Sequence, residues 1–205
     1  MRRGQVVILA SESPRRRELL GRICADFRVV PSGIEERLDG PPTPETVAAL
    51  ALEKALVVAG RVSEGIVVGA DTVVVIDGEA LGKPTGAHEA RVMLRKLRGR
   101  VHEVITGVAV VDAATGRAAS TAVVTGVTMR DVADDVIDAY VDGGEPFDKA
   151  GAYAIQEGGA ALVAGVVGSY SNVVGLPLAA TARLLSEFGV PVTLSQEGSD
   201  APPAA

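Results

Sequence analysis

Three stretches of the chain place polar, reactive residue types where packing alone would favour apolar ones. In Gly69-Ala70-Asp71-Thr72 a carboxylate interrupts the β-branched run Ile66–Ile76. An ionised carboxylate in a strand buried on both faces is costly unless it is paired or metal-bound, which makes Asp71 a candidate for catalysis or metal binding. Lys83, in Gly82-Lys83-Pro84, lies just beyond the turn signal Asp77-Gly78, and a hairpin there returns the chain toward Asp71. Lys54 falls on or beside the apolar helical stripe Val47, Leu50, Ala51 and Val58. Without further context a lysine at such a boundary snorkels to solvent. The third stretch, Ser11-Glu12-Ser13-Pro14-Arg15-Arg16, ends a short apolar run and opens a helix. Free N–H groups at a helix start and two guanidinium forks suit phosphate oxygens. The same residues equally describe a capped helix with solvated arginines.

Several better-known motifs fail on inspection. Gly78-Glu79-Ala80-Leu81-Gly82-Lys83 is one residue short of a phosphate-binding loop, and Pro84 stands where Ser or Thr should follow the lysine. No Gly-x-Gly-x-x-Gly opens a helix after a strand, and no Gly-x-Ser-x-Gly elbow occurs. Two histidines, His88 and His102, are too few for a multi-histidine zinc site. Cys24, the single cysteine, sits beside Ile23 on an inward helix face and reads as a packing thiol. Asp131, Asp134, Asp135, Asp138 and Asp142 share a helix face, with Val132, Val136, Ala139 and Tyr140 expected opposite; a solvated acidic face explains them better than a metal site.

The elements that must position these residues alternate early. Residues 6–10 read as a buried strand, followed by a helix from Ser13-Pro14 with Leu19, Leu20 and Ile23 inward and by a strand over 27–31. An irregular loop covers 33–44, Thr43-Pro44-Glu45 starts a second helix, and Ile66–Ile76 is a strand. A helix is expected over Ala87–Leu97, long strands over 101–111 and Ala118–Met129, and a helix over 133–141. Short strands are expected in the glycine-rich stretch 143–168, and a last amphipathic helix over 176–188. The pattern predicts an α/β fold with a mixed sheet flanked by helices, a single domain over 1–194 and a disordered tail over 195–205.

Of the 205 residues 47% are apolar and 22% charged, which excludes a wholly disordered chain. One cysteine rules out an internal disulfide framework and fits a reducing compartment. The net charge of −6 argues against binding along nucleic acid, though not against a local basic pocket for a small polyanion. No run approaches the roughly 18–20 apolar residues of a membrane span, and the apolar start is too short for a signal peptide, so a cytoplasmic protein without membrane partners is expected.

Taken in order, five stretches match one family. Leu9-Ala10-Ser11-Glu12-Ser13-Pro14-Arg15-Arg16-Arg17-Glu18-Leu19-Leu20 resembles the opening signature of the Maf family of nucleoside triphosphate pyrophosphatases. Glu53-Lys54-Ala55, Gly69-Ala70-Asp71-Thr72-Val73-Val74, the run 144–153 (Gly-Glu-Pro-Phe-Asp-Lys-Ala-Gly-Ala-Tyr), and Gly168-Ser169-Tyr170 with Gly175-Leu176-Pro177-Leu178 follow in the family's order. The resemblance spans residues 6–190. It implies an elongated Maf/ITPase-like α/β structure with a cleft between two lobes, often dimeric, that hydrolyses a nucleoside triphosphate to the monophosphate and diphosphate with a divalent cation, Mg²⁺ or Mn²⁺. By match, Asp71 takes the place of the proton acceptor or metal ligand, and Ser13, Arg15, Arg16, Lys54 and Lys83 those of triphosphate binders. Glu35 resembles a family carboxylate that helps hold the metal. Arg15, Thr72 and Gln156 resemble the branch acting on dTTP and UTP, and a glutamine amide offers a pyrimidine edge both donor and acceptor. Such an enzyme fits nucleotide-pool house-cleaning. The competing expectation is a nucleotide-binding regulator of cell division or septum formation without relevant hydrolysis; an intact Asp71 among phosphate binders is what a hydrolase needs and a mere binder does not.

Overall fold

The computed structural model describes residues 6–34, 38 and 40–193. Glu35 and the expected tail over 195–205 therefore lie outside the described residues. Strand β1 (Val7–Leu9) leads into helix α1 (Pro14–Ile23), where Ser13 Oγ accepts from Arg16 N at 3.4 Å and Pro14 takes the first helical position. Strand β2 (Phe27–Val29) follows, and helix α2 (Pro44–Ala59) begins at a reciprocal cap between Thr43 and Thr46. Strand β3 (Ile66–Ile76) turns at Asp77 and Gly78, whose φ angles of 55° and 76° are both left-handed as a tight hairpin requires, and returns as β4 (Glu79–Leu81). Helix α3 (Ala87–Leu97), strands β5 (Val101–Asp112) and β6 (Ala118–Met129), and helix α4 (Asp134–Asp142) complete the regular middle.

The strands, with a last one β7 (Val163–Val167), form one mixed sheet in the order β2-β1-β3-β5-β6-β7, with β4 added to β3. Pairing is parallel among β2, β1 and β3 and antiparallel elsewhere. One face carries the larger core, in which Leu9, Val68, Ala70, Val74 and Val108 pack under α1, α3 and the C-terminal helices. The other face receives α2 through Ala51, Ala55 and Val58 against Ile8, Val67 and Ala109. Burial on both faces is why β3 reads as an unbroken apolar run. None of the described helices is long and apolar enough to cross a membrane.

The region after α4 departs from the expected short strands. Three short 3-10 helices, Glu145–Asp148, Ala150–Ala152 and Glu157–Leu162, precede a single strand β7 (Val163–Val167). The expected last helix is preceded by a short α5 (Tyr170–Val174) and itself covers only α6 (Leu178–Glu187), because Gly175 and Pro177 break the chain between them. Helix α4 also turns differently from expectation. Ile137 and Val141 are its buried residues, while Val136 is exposed. Its aspartates face the arginines of α3 and just beyond: Arg91 pairs with Asp138 at 2.7 Å and Asp142 at 2.6 Å, and Arg98 with Asp134 at 2.6 Å. The acidic face is solvent-exposed as expected, with Asp134, Asp138 and Asp142 making ion pairs along its rim. Cys24 is buried as expected, and burial pushes its thiol pKa up.

Two glycines set the distance between α2 and the sheet. A Cβ at Gly69 would lie 2.3 Å from Ala51 O, and one at Gly107 would lie 2.4 Å from Val47 O. Gly107 pairs directly with Asp71 across β3 and β5. On the opposite side of the fold, His102 Nε2 and Tyr153 Oη are 2.7 Å apart in a buried, edge-on pair. Burial pushes the His102 imidazole pKa down to about 4.

Gly107→Ala is expected to force α2 away from the sheet and to cost about 1–3 kcal/mol, the usual penalty of overpacking; urea unfolding that leaves the midpoint unchanged would refute the close-contact argument. For His102 the unfolded chain binds a proton between about pH 6.5 and 4 that the folded chain does not, so its contribution is present at neutral pH and is lost as pH falls through that window. The loss approaches about 3 kcal/mol. Unfolding midpoints of the wild type and His102→Gln should converge between pH 6.5 and 4, and parallel pH profiles would exclude the assignment.

Candidate active site

Strand β3 is flanked by two incomplete neighbours along one edge. β1 reaches only as far as Val68, and β4, running back along β3 from Ile76, ends opposite Val74. Among the described residues, positions 69–73 therefore have a strand partner only on the β5 side. The gap opens into a cleft of about 630 Å³, within the size range of small-ligand sites. Ser13, Arg15, Arg16, Lys54, Asp71, Thr72, Lys83 and Gln156 all line it. Glu35 lies outside the described residues.

Asp71 points toward α2. Lys54 Nζ donates to Asp71 Oδ1 at 2.6 Å, and the two side chains are only 3% and 6% exposed. This overturns the snorkelling reading of Lys54: the close seat of α2 on Gly69 and Gly107 leaves its ammonium at the sheet, not in solvent. Each charge offsets much of the desolvation cost of the other, and removing either would strand its partner.

Thr72, the next residue, points to the other face of the sheet. Its hydroxyl lies 3.0 Å from that of Thr106 and accepts from Arg16 Nη2 at 3.1 Å. Arg16 is buried, and it also donates through Nε to Gly175 O at 2.9 Å and through Nη1 to Ser11 Oγ at 3.3 Å. One guanidinium thus ties together α1, β3 and the turn between α5 and α6. Gly175 has a left-handed φ of 124°, which brings its carbonyl to Arg16.

The mouth of the cleft is more exposed. Arg15 Nη1 donates to Asp148 Oδ2 at 3.4 Å across the opening, and Lys149 Nζ donates to Asp148 Oδ1 at 2.6 Å. Partial burial works to raise the Asp148 pKa, but Lys149 and then Arg15 outweigh it and hold the carboxyl below its usual range. Lys83 follows β4, and its loop is fixed where Gly151 N donates to Gly82 O at 3.0 Å. Gln156 is half-buried in the stretch that also supplies Tyr153 and Ala154 to the lining.

Sequence reasoning gave no part to Asp148, Thr106 or Ser11 as partners in this network. Asp148 and Ser11 lie inside quoted motifs, yet nothing in their type separates a partner of an arginine from a solvated residue. Thr106 is placed only by its register opposite Thr72.

An asymmetric cleft results, with a buried Lys–Asp pair at its floor, a locked arginine on one wall, and further cations and a glutamine toward the mouth. Comparison with known proteins agrees over nearly the whole fold. The chain is 52% identical to a dTTP/UTP pyrophosphatase of Moorella thermoacetica over 91% of this chain and 96% of that protein. It is 51% identical to dTTP/UTP pyrophosphatases of Anaeromyxobacter dehalogenans (93% and 97% covered) and Gloeobacter violaceus (89% and 95% covered). Residues 6–188, which include every described residue placed in the cleft, match the family described as Maf-like protein, and the chain belongs to that family.

Proposed function

We propose that this protein is a nucleoside triphosphate pyrophosphatase that hydrolyses dTTP, UTP or related pyrimidine nucleotides to the monophosphate and diphosphate. The observation that carries this reading is the buried Lys54–Asp71 pair, set in the only edge interval of β3 that opens to a cleft among the described residues. A module that merely bound nucleotide would have no need to hold a carboxylate there. The names of the relatives support the same activity and base class.

In this scheme water attacks the α-phosphorus, the α–β anhydride bond breaks, and diphosphate leaves. Asp71 orients the water and takes its proton. A carboxylate offers about four lone-pair sites, so the bond from Lys54 fixes the group without exhausting it. Lys54 adds positive charge beside the phosphorus under attack, where charge accumulates in the transition state. Arg15 and Lys83 bind the phosphates at the mouth, Ser13 and the start of α1 supply hydrogen bonds, and Gln156 reads the base edge. Arg16 gives three of its five N–H donors to Ser11, Thr72 and Gly175, which locks the guanidinium in the cleft wall and holds its charge there for the triphosphate. To reach phosphate, Arg15 exchanges Asp148 for the substrate; this exposed pair is weak enough to exchange.

The residues also fit a divalent cation carried in by the triphosphate. No group of three His, Cys, Asp or Glu side chains able to hold an ion occurs among the described residues. Mg²⁺ is ordinarily bound by one or two carboxylates together with phosphate oxygens and water, which matches a single deep carboxylate in this cleft. Asp71 would hold it, with Glu35 as the second donor proposed from the family resemblance. When bound, Mg²⁺ or Mn²⁺ supplies neutralisation of phosphate charge.

Asp71→Asn should lower turnover by at least roughly a hundredfold, the low end for loss of a general base. Circular dichroism should still report a folded chain, and near-wild-type turnover in that variant would sink the assignment. In a panel of natural nucleoside triphosphates, diphosphate release should be fastest with UTP and dTTP, require Mg²⁺ or Mn²⁺, and stop on chelation. Equal or faster turnover of purine nucleotides would refute the pyrimidine preference.

A further inference from the structure

Gln156 sits in a stretch that lacks the backbone ladder holding Asp71 and Thr72. What holds it instead is a carboxylate outside the cleft. Glu145 Oε1 accepts from Gly159 N at 3.1 Å and from the Tyr140 hydroxyl at 3.0 Å, and Glu145 Oε2 accepts from Gly158 N at 3.1 Å. The Tyr140 oxygen in turn accepts from Ala154 N at 3.2 Å. The backbone is thus gripped at 154 and again at 158 and 159, on either side of Ile155, Gln156 and Glu157.

Both glycines are required for this grip. A Cβ at Gly158 would lie 2.8 Å from Glu145 Oε2, and one at Gly159 would lie 1.9 Å from Ala154 O. Neither Glu145 nor Tyr140 lines the cleft, while Ala154, Ile155 and Gln156 do. We propose that Glu145 and Tyr140 are positioning residues for base selection: they bracket residues 154–159 and so fix where the Gln156 amide stands. The inference rests on the reading of Gln156 as the base contact.

The bracket touches the base end of the cleft and leaves the Lys54–Asp71 floor alone, so its removal should alter recognition more than chemistry. Glu145→Ala should raise KM for UTP by roughly tenfold, the equivalent of one charge-assisted hydrogen bond, with kcat little changed. The kcat/KM ratio of UTP over GTP should fall by a similar factor. Inhibition by inorganic triphosphate, which has no base, should be unaffected. Tyr140→Phe keeps the ring in place and should shift the ratio the same way to a smaller extent, which keeps the test valid if Glu145→Ala folds poorly. Glu145→Gln, which retains an acceptor oxygen, should recover part of the selectivity. Amide hydrogen exchange at Ala154, Gly158 and Gly159 should accelerate in Glu145→Ala.

A selective wild type whose Glu145→Ala and Tyr140→Phe variants remain equally selective would overturn this proposal alone. Uniform loss of kcat on every nucleotide would do the same, since it would mark a general structural role. A wild type that does not discriminate bases would overturn the Gln156 reading and this inference with it.

Discussion

The approach of α2 to the sheet at backbone contact is the constraint on which the rest of the site depends. Lys54 reaches Asp71 at 2.6 Å because the positions beneath the helix, Gly69 and Gly107, carry no side chain, so the helix backbone seats directly on them, at Ala51 and Ala55 over Gly69 and at Val47 and Ala48 over Gly107. Any larger residue at these positions would hold α2 away and open a path for water to the pair. Such a pair is a poor source of stability, since two desolvation costs stand against one attraction. Its retention at the floor of a cleft is better explained by the chemistry than by folding.

A second constraint comes from the period of a β-strand. Asp71 and Thr72 are adjacent, so they face opposite sides of the sheet, and in a fully paired strand they could not serve one cavity. The edge gap between β1 and β4 removes that restriction. Through it, one cleft reaches the α2 face with Lys54 and Asp71 and the opposite face with Thr72 and Arg16. The parallel-to-antiparallel change in the sheet, with β1 parallel and β4 antiparallel to the same strand, is the topological source of the opening. The charge balance is consistent with this division. Three of the aspartates of α4, Asp134, Asp138 and Asp142, pair with Arg91, Arg95 and Arg98 and not with the cleft cations.

Much of this was legible in the residues because the regular elements carry strong local signals. Ser13-Pro14 and Thr43-Pro44 mark helix starts, Asp77-Gly78 marks the hairpin, and the bounds of β3, α3 and β6 coincide with the expected runs. A carboxylate in the middle of β3 was anomalous enough to flag Asp71 without any fold. Lys54 was not legible in this way, since its burial depends on how closely a helix sits, which is a property of Gly69 and Gly107 rather than of its own neighbours. In α4 the acidic face stays exposed as expected, but the inward stripe is Ile137 and Val141 rather than one through Val136, a choice set by which residues meet the core and not by the local pattern. The stretch after α4 was least legible. Its glycines suggest turns between strands, whereas two of them, Gly158 and Gly159, admit a side-chain carboxylate oxygen and a carbonyl oxygen close to the backbone.

That last difference separates the two ends of the cleft in kind. At the end proposed for the phosphates, Asp71 and Thr72 are carried by ten consecutive pairings between β3 and β5, and Arg16 is anchored to three separate elements. Moving any of these groups means disturbing the sheet or the core, so the geometry of attack is protected by the stability of the whole domain. At the end proposed for the base, the backbone around Gln156 is held by hydrogen bonds to two side chains, Glu145 and Tyr140. Single substitutions there can shift the backbone by small amounts at little global cost, because no strand ladder has to be broken. Under the proposed roles, a fold arranged in this manner can alter which base it accepts while keeping the residues assigned to cleavage of the anhydride. The division follows from where backbone pairing ends, and it places adaptability on the side of the cleft where recognition, not chemistry, is decided.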